Sequence, residues 1–218
     1  MIQLTKQGLA GTADLAELEH QFEQSHVFRL PGLIHPDLMQ FVSSRLGSCT
    51  WTTEDDGKIA REAVPGNSAP LSVLNFVANT PGFLDLIRRI TRCRHIRCFG
   101  GRVYRMGPTS DHFDSWHADI GTTHDDRLVG MSINLGSRPY VGGVFRLRDE
   151  ATGRVLSELP NTRQGDAIIF RIATELKHMV SPLEGSEPKT AFAGWFRSGE
   201  IDFYASLCSR VNIPRSAD

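Results

Sequence analysis

No apolar run in this chain is long enough to cross a bilayer. The opening Met1-Ile2-Gln3-Leu4-Thr5-Lys6 also lacks a basic stretch followed by an apolar core. The expectation is a protein with no membrane span and no secretory leader, and therefore a cytoplasmic one. Charge of one sign is missing as well: 24 Lys+Arg stand against 25 Asp+Glu, a net charge of -1. That balance offers no basic surface for nucleic acid. Cysteine is sparse, at Cys49, Cys93, Cys98 and Cys208, and the spacing matches neither paired zinc ligands nor a redox pair. Cys93, His95 and Cys98 lie close together, but no fourth ligand accompanies them, so they read as a helix end and an early strand. Repeats, low-complexity tracts and linkers of domain-splitting length are absent too. With 218 residues, 40% of them hydrophobic, the chain is expected to form one domain over residues 1–218.

What is present falls into two textures. Up to about residue 95 the periodicity is mostly helical. Thr12 is placed to cap a helix with Leu15, Leu18 and Phe22 on its apolar side. Val27 to Leu30 reads as a short strand closed by Pro31-Gly32. Pro36-Asp37 opens a helix that Gly47 ends. Another helical stretch carries Leu71, Leu74 and Val77, and Thr80-Pro81 restarts the chain as a helix with Leu84, Ile87 and Ile90 inward. From Ile96 the texture changes to short strands: Ile96 to Met106, Leu128 to Leu135, Val144 to Arg148, Ala167 to Ile172 and Thr190 to Phe196. Many short strands imply a sandwich or barrel, and helices followed by strands imply an α+β, mainly β, domain with helices buttressing a sheet.

The chemistry lies in Asp114-Ser115-Trp116-His117-Ala118-Asp119. On a strand or its end, residues i and i+2 face the same way, so His117 and Asp119 can aim an imidazole and a carboxylate at one centre. His178 follows 59 positions after Asp119, just past a strand. Two imidazoles and one carboxylate on a face of an octahedral metal leave three positions open. That donor set suits non-haem iron(II), which must take a chelating co-substrate and dioxygen together. A closed structural zinc site has no such vacancies.

With the later context added, the sequence resembles the iron(II)- and 2-oxoglutarate-dependent oxygenases, in particular the prolyl-hydroxylase-like group. His117-Ala118-Asp119 fits that family's His-X-Asp triplet, and His178-Met179-Val180-Ser181-Pro182 fits its distal His segment. Lys189, 11 positions after His178, fits the basic residue that holds the far carboxylate of 2-oxoglutarate. Trp195 fits an aromatic on the same final strand, lining the pocket floor. Tyr104 stands where the family often has a tyrosine that contacts the co-substrate, and Asn134 where a further contact falls. The resemblance spans about Val27 to Ser198. It implies a double-stranded β-helix (jelly-roll, cupin-like) core over 96–198, supporting helices over 1–95 and a tail over 199–218. It implies metal ligands His117, Asp119 and His178, cofactor contacts from Lys189, Tyr104, Asn134 and Trp195, and the use of Fe(II), 2-oxoglutarate and dioxygen. The basic residue is Lys189 where many members have Arg, so a point charge replaces a planar fork. Asp119 stands where halogenating relatives have a small residue, which favours oxygen insertion or desaturation.

The expected reaction is hydroxylation of an unactivated C–H in a small molecule, such as an amino acid or biosynthetic intermediate, or in a peptidyl side chain. Two other classes use the same barrel: a cupin-like metal enzyme without 2-oxoglutarate, and a non-catalytic binding domain. Lys189, if deep in the barrel, needs a partner such as an Asp or a water. His112 and His124 flank the metal loop and read as solvated. Among Arg102, Arg105, Arg146, Arg148 and Arg171, any that enters the barrel mouth favours an acidic substrate.

Overall fold

The computed structural model describes residues 1–57, 60–66, 69–108, 111–120 and 126–199. His124, Cys208 and all but the first residue of the expected tail lie outside the described residues.

The chain opens with a hairpin of β1 (Ile2–Thr5) and β2 (Gly8–Gly11), followed by helix α1 (Leu15–Ser25). Thr12 does not cap α1. Asp14 does, its carboxylate accepting from the N–H groups of Ala16 and Glu17; a carboxylate at the positive end of a helix is the better acceptor. Strand β3 (Val27–Leu30) and helix α2 (Pro36–Gly47) follow, with Pro36 in the first turn. Next come the hairpin β4 (Trp51–Asp56) and β5 (Ala60–Pro65), then helices α3 (Ala69–Ala78) and α4 (Pro81–Thr91). The hairpin was not legible as strand, since it carries little apolar alternation. The remaining main strands are β6 (Cys98–Met106), β7 (Phe113–His117), β8 (Arg127–Asn134), β9 (Val141–Gly142), β10 (Phe145–Asp149), β11 (Val155–Leu159), β12 (Ala167–Arg171), β13 (Leu176–Val180), β14 (Leu183–Glu184) and β15 (Lys189–Arg197).

Most of the strands form one antiparallel sheet in the order β11-β10-β13-β7-β5-β6-β15-β8-β12-β3, with β4 on β5. The sheet rolls over so that β10 meets β12: the Phe145 and Phe170 rings lie 4.7 Å apart, in an apolar cluster with Val27, Leu147, Ile168 and Leu176. This nearly closed sheet with four helices is the double-stranded β-helix. Its outer face carries Phe99, Val103, Val129, Met131, Ile133, Phe192 and Phe196. These pack on Phe22, Leu38, Leu74, Phe83, Ile87 and Ile90 of the helices, where burial of apolar surface supplies the main folding drive.

The alternation of β15 decides what the inner face holds. Phe192 and Phe196 face the helices, which turns Lys189, Ala191, Ala193 and Trp195 inward. Register then sets inner rows across neighbouring strands. One row is Arg102, Ala193 and Ser132; another is Tyr104, Ala191 and Asn134; a third is Gly100, Trp195 and Gly130. Gly130 is required where it stands, because a Cβ there meets the Phe170 ring at 2.1 Å. Outside, Asn75 of α3 and Asn79 just after it bond to both backbone groups of Gly101 and Phe99, covering a stretch of β6 edge.

Candidate metal centre and its cavity

His117 ends β7, and His178 sits in the middle of β13 and not beyond a strand. The two strands pair with His178 opposite His117, which stacks the imidazoles with centroids 4.3 Å apart. Asp119, two residues past the end of β7, returns its carboxylate between them. Oδ1 lies 3.5 Å from His117 Nε2, and Oδ2 lies 3.5 Å from His178 Nε2. The ligand atoms of the three residues all lie within 4.8 Å of one another. Among the described residues this is the cluster whose donors can meet one ion. Cys98 is occupied elsewhere, its thiol donating to the Gly199 carbonyl.

The groups around the triad fix each donor. His117 Nδ1 lies 2.7 Å from the Ser115 carbonyl. A carbonyl only accepts, so Nδ1 carries the hydrogen and Nε2 is left as the donor to a metal. Asp114 lies on the same side, 3.3 Å from His117 Nδ1. Trp195 Nε1 donates to Asp119 Oδ2 at 2.6 Å, and Arg127 donates to the Asp119 carbonyl at 3.2 Å while stacking 3.9 Å over the Trp195 ring. His178 lies between Phe170, at 4.6 Å, and Phe145, at 5.8 Å.

These surroundings set the charges. Burial pushes the His178 imidazole down to about 4, so it is neutral and ready to ligate near pH 7. Burial also acts to lower His117, but the hydrogen bond to Asp119, the Asp114 charge and the Ser115 carbonyl outweigh it and raise the imidazole to about 9. Burial opposes ionisation of Asp119, yet His117, His178 and the Trp195 N–H together hold its carboxyl well below the ordinary range. A metal must therefore displace the proton of His117. Metal affinity is expected to rise about tenfold per pH unit from roughly pH 6.5 to 9 and then level off. Titration of the apoprotein with a divalent ion at several pH values, with proton release recorded, checks this.

The triad opens on a cavity of about 320 Å³. Lys189 lines it and is 2% exposed. Desolvation pulls its ammonium down to about 8, opposed by the charges of Asp114 and Glu62. Tyr104 also lines the cavity, and burial pushes its phenol upward. Asn134 does not line it. Its Oδ1 accepts from Gly136 N–H at 2.9 Å, shaping the turn after β8. Trp195 does more than line the floor, because its indole N–H fixes the Asp119 carboxylate. His112 is not simply solvated: its Nδ1 accepts from Gly107 N–H at 2.7 Å. Reading the sequence did not find Glu62 or Asp114 as cavity residues. The i, i+2 relation of Ala60 and Glu62 on β5 is the signal that could have found the first.

A mononuclear site of two imidazoles and one carboxylate, open to a cavity inside a jelly roll, defines the class of non-haem metal oxygenases. Residues 101–197 match the family described as "2OG-Fe(II) oxygenase superfamily". Among curated proteins no sequence match is found. Similar solved structures include a Pseudomonas putida prolyl-4-hydroxylase, at TM-score 0.64 and 17% identity, over 86% of this chain and 100% of that one. A Burkholderia pseudomallei oxidoreductase of the 2OG-Fe(II) oxygenase family aligns at TM-score 0.66 and 18% identity, over 88% and 94%. A Trichoplax adhaerens prolyl hydroxylase, in complex with a hypoxia inducible factor oxygen degradation domain peptide fragment, aligns at 0.60 and 15%, over 84% and 89%. Residues 101–197 are thus similar to the 2OG-Fe(II) oxygenase superfamily, and the chain shares the fold of these prolyl hydroxylases. That similarity implies Fe(II), 2-oxoglutarate and dioxygen, and His117, Asp119 and His178 are a candidate metal site. Among the described residues no helix is long and apolar enough to cross a membrane.

Proposed function

We propose that this oxidoreductase is a hydroxylase acting on an unactivated C–H of a small molecule or a peptidyl side chain, within a single domain. Residues 1–95 would support the jelly-roll core of 96–198. The observation that carries this reading is the cavity itself, which holds three metal donors and a buried ammonium on one continuous inner surface. His117, Asp119 and His178 would hold the iron. Bound there, iron(II) supplies the activation of dioxygen at the expense of 2-oxoglutarate, and the protein supplies placement and shielding.

The roles of the other residues follow from where they stand. Lys189 holds the far carboxylate of 2-oxoglutarate, where burial strengthens a charge-assisted bond. Tyr104, on the inner row next to it, contributes a phenol hydroxyl that stays protonated and can donate to the co-substrate. Trp195 keeps the Asp119 carboxylate aimed at the metal through its indole N–H. Phe145 and Phe170 fence His178 from water. Trp195→Phe keeps the ring under Arg127 but removes the N–H. The expected result is iron(II) binding weakened by about ten- to a hundredfold with the fold intact, measured by competition with a chelator.

The test of the reading is anaerobic absorbance as iron(II) and then 2-oxoglutarate are added. A visible charge-transfer band requiring both is expected. Product analysis then asks for oxygen insertion with succinate formed in equal amount. A folded, metal-loaded protein that gives no band argues against this reading. Products of epimerisation or desaturation alone would replace hydroxylation and leave the oxygenase assignment standing.

A further inference from the structure

Of Arg102, Arg105, Arg146, Arg148 and Arg171, one enters the cavity, which Arg127 of β8 also lines. Arg105 lies 3.8 Å over the Trp51 ring outside the barrel. Arg146 pairs with Glu158, Arg148 with Glu150, and Arg171 lies over Phe22. Arg102 alone of these lines the cavity, together with Glu62 from the β4–β5 hairpin. Its Nε donates to Glu62 Oε1 at 2.5 Å, and its guanidinium carbon lies 5.8 Å from the Tyr104 ring centre and 5.9 Å from that of Trp195.

A charged pair in such a wall is costly to desolvate, and a packed apolar pair fills the same space at less cost. Its retention toward the cavity calls for another use. The geometry fits recognition. Glu62, 7% exposed, takes the Nε edge and fixes the guanidinium plane. The side chain of Arg102 stays 39% exposed. Its terminal nitrogens form the fork that matches a carboxylate or phosphate. The next residues along its inner row are small, Ala193 and then Ser132, and Ala60 and Gly194 also line the cavity, so space remains beside the fork. Arg127 lies over the same Trp195 ring at 3.9 Å. At this end of the cavity two guanidinium groups meet two carboxylates: Glu62 holds the Nε edge of Arg102, and Asp119 Oδ1 lies 3.9 Å from Arg127. Arg102 is one inner-row step from Trp195, whose indole contacts the metal-binding carboxylate. An anion held there places the adjoining carbons near the metal.

We propose that Arg102, oriented by Glu62, selects substrates that carry a carboxylate close to the carbon that reacts. The proposal rests on the oxygenase reading above and names its substrate class.

The test uses full-length protein loaded anaerobically with iron(II) and 2-oxoglutarate. The charge-transfer band is recorded first; its absence marks failure of the oxygenase reading, before any probe is added. The probes are N-acetyl derivatives of proline, leucine and phenylalanine, each as free carboxylate and as primary amide. Binding is followed by calorimetry and by perturbation of the band. For at least one body, the carboxylate is expected to bind at least about tenfold tighter than its amide. Arg102→Gln is expected to erase that ratio, and exposed Arg89→Gln to leave it unchanged. Glu62→Gln keeps an acceptor for Nε but removes the opposing charge, so the ratio is expected to rise severalfold. A purely structural pair gives no such opposite effects. Equal binding of carboxylates and amides, or no binding of any probe, overturns the proposal. So does an Arg102→Gln variant that weakens 2-oxoglutarate while leaving the ratio intact.

Discussion

His178→Ala is expected to give a folded protein that shows no charge-transfer band with iron(II) and 2-oxoglutarate. Turnover of 2-oxoglutarate is expected to fall by about a thousandfold or more. His178 supplies one of three ligand atoms, and alanine offers no donor. The register places no other described histidine opposite His117, and His112 is committed to Gly107 N–H. His112→Ala is therefore the control, expected to retain the band. Stability carries a second signature. The folded imidazole titrates at about 4 against an ordinary 6.5, because burial disfavours its charged form. As pH falls from about 6.5 to 4 the unfolded chain takes up a proton that the fold refuses, and wild-type apoprotein loses up to about 3 kcal/mol. His178→Ala removes that dependence. Its melting temperature is expected to be lower than wild type at pH 7 by the loss of packing against Phe145 and Phe170, yet flatter in acid. Retention of the band in this variant would place the metal elsewhere.

Strand period suggested the pairing of His117 and Asp119, and the resemblance to a known family supplied His178, Lys189 and Trp195. His117 and Asp119 share a face by strand period, whereas His178, expected just past a strand, lies in the middle of β13. The inward set Lys189, Ala191, Ala193 and Trp195 was equally open to reading once Phe192 and Phe196 were assigned to the other face. Partnerships across the sheet were not legible. Trp195 and Asp119 are 76 positions apart, and Glu62 and Arg102 are 40 apart. They meet only because β5 is inserted between β7 and β6, an order that local periodicity does not encode. The hairpin that supplies Glu62 was hidden for a related reason: Thr52-Thr53-Glu54-Asp55 is polar and exposed, so no alternation marks it. Asn134 is divided between the two. Its place in sequence suggested a ligand contact; its oxygen accepts from Gly136 N–H, while its amide Nδ2 is buried without a hydrogen-bond partner among the described residues.

Lys189→Met is expected to raise the melting temperature of the apoprotein while nearly abolishing co-substrate binding. The ammonium is 2% exposed and titrates at about 8 against an ordinary 10.5, burial being the main cause. From about pH 10.5 down to 8 the unfolded chain binds a proton more readily than the folded one, so stability falls across that window and the cost is fully present below it. The shift corresponds to at most about 3 kcal/mol. Part of that gain is offset in the variant, because Asp114 and Glu62 lose an opposing charge. Asp114, raised to about 6 by burial, can respond by taking up a proton. A net gain of about 1 to 2 kcal/mol at pH 7 is the expected balance. Function moves the other way. Removing one partner of a buried charge pair costs about 2 to 5 kcal/mol, so 2-oxoglutarate affinity is expected to fall by at least about thirtyfold, read from the charge-transfer band. Lys189→Arg keeps the charge and restores part of the affinity through a different donor geometry. Opposite signs in stability and affinity identify a residue held against the folding preference for the sake of a ligand. If Lys189→Met instead lowers the melting temperature and leaves the band's 2-oxoglutarate dependence unchanged, Lys189 is a structural residue, and another cavity group, with Arg102 the first candidate, must hold the co-substrate.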